Sequence, residues 1–72
     1  MPEGEFSVYY WLSNGRYAAA KKFIDAKSAV DIAASIARSA DAITGIINRV
    51  IITDGGDCTC FEWIHCKGVV FG

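Results

Sequence analysis

The sequence predicts an α+β domain of ββαββ order, with two antiparallel hairpins in one sheet and a single helix packed on one face. Three observations lead there. Two turn signals, Asn14-Gly15 and Asp54-Gly55-Gly56-Asp57, each sit between segments of strand character. One stretch between the hairpins repeats its apolar residues at helical spacing. The length, 72 residues, gives room for one core, so residues 1–72 are read as a single domain.

Phe6, Val8, Tyr10 and Leu12 alternate with Ser7, Tyr9 and Trp11, the period-two pattern of a strand rich in aromatic and branched residues. Asn-Gly follows at once, and both residues tolerate the positive φ of a two-residue type I′ turn. Strands over residues 5–13 and 16–24 are therefore expected, with Leu12 facing Tyr17, Trp11 facing Ala18, Tyr10 facing Ala19 and Tyr9 facing Ala20.

The helix is expected over residues 28–43. Ser28 with Asp31 has the form of a capping box. Ala29, Ile32, Ala33, Ile36, Ala40 and Ile43 form the apolar stripe, opposite Lys27, Asp31, Ser35 and Arg38. Gly45 is placed to end the helix in a left-handed conformation.

Residues 46–53 are too β-branched to favour helix, and with residues 58–66 they bracket the second turn. Placing Thr53 opposite Cys58 sets Arg49 directly across from Glu62, where opposite charges can pair. The final Lys67-Gly68-Val69-Val70-Phe71-Gly72 can bend at Gly68 into a short edge strand or tail.

One helix covers one sheet face. Phe6, Val8, Tyr10, Leu12, Phe23, Val50, Ile52, Phe61 and Trp63 are assigned to the helix side. The uncovered side then receives Tyr9, Trp11, Ile47, Arg49, Ile51, Cys58, Cys60, Glu62 and Ile64, an apolar set for a face that meets only water. With 53% of residues apolar, a face of that kind implies a covering partner, most simply a second copy of the chain in a homodimer. A protein or small-molecule partner is the other reading, in which Tyr9 and Trp11 offer flat apolar contact while Arg49 and Glu62 orient the ligand.

The candidate chemistry is thin. Cys58, Cys60, His65 and Cys66 invite a thiol or metal site, but alternate residues on a strand point in parallel about 6–7 Å apart, unlike the turn-borne spacing of structural zinc. His65 belongs to the opposite face from the cysteines. Asp54 and Asp57 are ordinary turn formers and do not match a calcium loop. Neither a phosphate loop nor a nucleophile motif is present, so neither catalysis nor a cofactor is expected.

Seven Lys plus Arg against eight Asp plus Glu give a net charge of -1 without a basic stripe, which argues against a nucleic-acid backbone binder. Stacking of single strands on Tyr9 and Trp11 would need a positive groove that the chain lacks unless self-association assembles one. The start Met1-Pro2-Glu3-Gly4-Glu5 lacks the form of a signal peptide, and no apolar run is long enough to span a membrane. Three cysteines, an odd number, fit reduced thiols and a cytoplasmic location.

The segment from Arg49 to Cys58, followed by Phe61-Glu62-Trp63 and preceded far upstream by Phe6-Ser7-Val8-Tyr9, resembles a group of short uncharacterised bacterial proteins. The resemblance implies a stand-alone bacterial protein. It brings no catalytic residues and no activity.

Overall fold

A computed structural model describes residues 4–71; the acidic start at residues 1–3 and Gly72 lie outside the described residues. The chain forms β1 (Phe6–Leu12), β2 (Tyr17–Ile24), α1 (Ala26–Ala37), a one-turn α2 (Ala40–Ile43), β3 (Ile47–Thr53), β4 (Thr59–Ile64) and β5 (Gly68–Phe71). The five strands make one antiparallel sheet in the order β2-β1-β3-β4-β5, with the main helix against one face. This is the α+β architecture of the sequence reading, with β5 as an added edge strand.

The helix is set by different caps from those expected. Asp25, not Ser28, is the N-cap of α1, and its carboxylate accepts from the Ser28 amide at 3.4 Å. The Ser28 hydroxyl, and after it this amide, hold the Asp25 carboxyl below its usual range. Lys27 pairs with Asp31 at 3.1 Å one turn on, so Asp31 serves a surface ion pair rather than a capping box. The single expected helix is also broken after Arg38. Ser39 causes the break: its hydroxyl donates to the Ile36 carbonyl at 2.6 Å and accepts from the Ala42 amide at 3.3 Å, closing one helix and opening the next. Gly45, at φ +90°, follows α2 and turns the chain into β3.

Both hairpin turns are variants of one design. In the first, the Gly15 amide donates to the Leu12 carbonyl at 3.0 Å and the Leu12 amide to the Arg16 carbonyl at 2.7 Å, with Gly15 at φ +89°. This is a three-residue loop with one left-handed position, not the two-residue type I′ turn. The second repeats it, with Asp57 to Asp54 at 3.1 Å, Asp54 to Cys58 at 2.9 Å, and Asp57 itself at φ +61°. Cys66, also left-handed at φ +70°, lies in the turn between β4 and β5.

The extra loop residue shifts the first hairpin by one, so Trp11 pairs with Tyr17, Tyr10 with Ala18 and Tyr9 with Ala19. A slip of one residue exchanges faces. Tyr17 thus joins Trp11 on the side away from the helix. In the second hairpin the slip is two residues, with Arg49 opposite Ile64, Ile51 opposite Glu62 and Val50 opposite Trp63. An even slip preserves faces, and Arg49 still meets Glu62, now diagonally, at 2.7 Å.

Two residues change sides because of irregularities in the sheet. Between the pairs Trp11–Arg49 and Leu12–Ile47 the register shifts, and Ile47 turns into the core, 8% exposed, instead of onto the uncovered face. Phe23 sits at φ +59° where β1 and β2 lose register, and it is 64% exposed while Ile24 packs against the core in its place.

The core holds Val8, Val50 and Ile52 from the sheet against Ala29, Ala33 and Ala42 from the helices. The alanines are fully buried, and their short side chains let α1 lie close on β1, β2 and β3. Burying each valine contributes about 1.5–3 kcal/mol. Among the described residues no helix is long and apolar enough to cross a membrane.

Ser39→Ala removes both hydroxyl bonds at the helix break and is expected to cost about 1 kcal/mol. Thermal melting followed by circular dichroism should show a Tm lower by about 4–8 °C; an unchanged Tm would mean that the break is held by packing alone.

Candidate functional site

The side of the sheet opposite the helix carries a row of four side chains, each from a different strand. Tyr17 of β2 stacks on Trp11 of β1, with ring centroids 5.2 Å apart and planes at 25°. The guanidinium of Arg49 of β3 lies 4.7 Å from the centre of the Trp11 ring. Its Nε donates to Oε2 of Glu62 of β4 at 2.7 Å. Stacking, cation–π attraction and an ion pair therefore run across the sheet in sequence, each using the neighbour that strand register supplies.

Register places a second row beside the first, Tyr9 opposite Ile51 and Ile51 opposite Glu62. Ile51 is only 6% exposed although no helix covers it. Lys22 reaches over the Tyr9 ring at 5.8 Å, and Ile64 stands opposite Arg49. Of the sequence-assigned face residues, Tyr9, Trp11, Arg49, Ile51, Glu62 and Ile64 share this surface. Ile47 does not, for the reason given above, and Tyr17 and Lys22 join it.

Next to this surface is a cleft of about 550 Å³ lined by Glu5, Ser7, Tyr9, Lys22, Phe23, Asp54 and Asp57, with Gly4 and Gly55. Sequence periodicity gave no sign of it, because the cleft depends on the left-handed turn of Phe23 and on the loop after β3 folding back beside β1. The Asp54 carboxylate is already engaged there, accepting from the Gly56 amide at 2.9 Å and the Cys58 amide at 3.1 Å.

Among the described residues Cys58, Cys60, His65 and Cys66 do not assemble into one cluster. All three thiols are free and exposed. Cys58 donates weakly to the Gly56 carbonyl at 3.8 Å, within its own turn. Cys60 falls where the β3–β4 register shifts and its thiol donates to the Ile52 carbonyl at 3.4 Å. Burial pushes the Cys60 thiol up from its ordinary pKa, and the charges of Asp54 and Glu5 act in the same direction. His65 instead lies edge-on to Trp63, 6.4 Å between centroids, and a Cβ at Gly45 would come within 3.2 Å of its Nε2. Among the described residues no three His, Cys, Asp or Glu side chains assemble in a way that could hold a metal ion.

Compared with models of protein families, with curated proteins and with solved structures, the chain finds no match.

A double-mutant cycle of Arg49→Ala and Glu62→Ala should give a coupling of about 0.5–1 kcal/mol that shrinks at high salt, with Arg49→Ala costing more than Glu62→Ala because it also uncovers Trp11. A coupling of zero would reduce the row to coincidence. Alkylation with iodoacetamide near pH 8, followed by mass spectrometry, should label Cys60 last of the three cysteines, since the thiolate is the reactive form; Cys60 reacting first contradicts its placement.

Proposed function

We propose that the protein is a non-catalytic binding module that self-associates through the uncovered sheet face, a second copy being the occupant. The single observation that carries this is the four-strand row of Tyr17, Trp11, Arg49 and Glu62, on which, among the described residues, neither helix packs. Flat aromatic surface supplies contact area. Arg49 and Glu62 give the face both signs of charge, so it can complement itself across a twofold axis. A net charge of -1 opposes the meeting of two copies only weakly.

A reading without catalysis is supported by the partners these groups already have, Cys58 and Cys60 on backbone carbonyls and His65 edge-on to Trp63. We assign the protein to a bacterial cytoplasm, a reading that its free cysteines support. A second reading, binding of a small molecule, is favoured by the cleft where Tyr9 and Phe23 meet Lys22 and the carboxylates.

Tyr17→Glu tests the face at a position that is 64% exposed and so carries little of the fold. Size-exclusion chromatography with light scattering should give half the wild-type mass, with an unchanged circular dichroism spectrum. A wild type of single-chain mass at high concentration, or a variant of wild-type mass, would sink the proposal.

A further inference from the structure

The sheet has two outer edges, and they are built differently. At one end, β2 carries Lys21 and Lys22 and is kinked at Phe23, where its pairing with β1 loses register. Charge and irregularity are the devices by which edge strands avoid pairing with other chains. At the other end, β5 is Gly68-Val69-Val70-Phe71, with neither charge nor proline. Val69 is 58% exposed and Val70 45%. The helix layer also stops short of this end. α1 lies on β1, β2 and β3 and α2 on β3, and among the described residues no comparable contact reaches β4 or β5.

We propose that the outer edge of β5 pairs antiparallel with β5 of a second copy, joining the two sheets into one. This goes beyond self-association through the sheet face and uses different residues. The occupant follows from the asymmetry of the edges. Pairing β5 with β2 of another copy would meet two lysines and a kink, and would leave a fresh edge at each step, so that assembly never closes. Pairing β5 with itself closes at two copies. A twofold axis at Val70 sets Val70 opposite Val70 of the second copy and Val69 opposite Phe71, and no like charges meet along the strand. Val69 also stands across from Trp63 on β4, so each copy extends its apolar strip over the junction.

The test compares wild type, Tyr17→Glu, Val70→Lys and the double variant by light scattering over a range of concentration, with amide hydrogen exchange read at Gly68–Phe71. Val70→Lys should halve the mass and speed exchange of these amides by about tenfold, while Tyr17→Glu leaves their exchange unchanged. A mass that halves with Tyr17→Glu but not with Val70→Lys overturns the edge pairing alone; the reverse pattern overturns the face reading alone. Should Val70→Lys fail to fold, the wild type decides: exchange at Gly68–Phe71 that slows as concentration rises supports the pairing. Exchange independent of concentration, or a wild type of single-chain mass, overturns it.

Discussion

The structure depends on one constraint, the reach of a single short helix over a wider sheet. Ala29, Ala33 and Ala42 are fully buried, and because they add so little bulk the helices sit close enough to seal Val8 and Val50 completely. That contact is made on the inner strands. Among the described residues the other helix is the one-turn α2, too short to cover the rest. The helix break at Ser39 eases the shortage. By ending α1 and starting α2 in a new direction, it turns Ala42 inward, onto the same core as Ile47.

What the sequence revealed and what it concealed divide along physical lines. Element type was legible, since alternation in β1 and helical spacing around Ala29 and Ala33 report burial directly. Register was less so. Asn14-Gly15 serves a two-residue turn and a three-residue loop equally well, because both place glycine at positive φ. Asp57 adopts the left-handed conformation without being glycine, so composition alone could not choose the second loop. The cost of these ambiguities depended on parity. The slip of two in β3–β4 left Arg49 and Glu62 on one face and within reach, whereas the slip of one in β1–β2 moved Tyr17 across the sheet. Ile47 and Phe23 were misassigned because irregularities in strand pairing break the alternation that the sequence reading relies on.

The uncovered face is chemically different from the apolar surface that its residue list suggests. Ile47 is withdrawn into the core and Ile51 is buried on the sheet itself. What remains on view is aromatic and charged, and its members already satisfy one another. A row of this kind suits recognition better than bulk burial, since a partner must match its stacked rings and paired charges rather than simply exclude water. Apolar exposure is found also on Val69 and Val70, at the end of the sheet that the helix does not reach.

The strand order also sets how the chain finds its shape. Three of the four ladders, β1–β2, β3–β4 and β4–β5, join strands linked by tight turns, and each can form early and locally. The β1–β3 ladder is of another kind, because Leu12 meets Ile47 only when everything from residue 13 to residue 46 is drawn into a loop. The length-dependent part of that closure costs about 3 kcal/mol before any pairing repays it. The helix lies inside the loop, and it shortens the effective span by forming first. The meeting of β1 with β3 is thus the step that chain entropy opposes most, the one by which two separate hairpins and a helix become one sheet with a core.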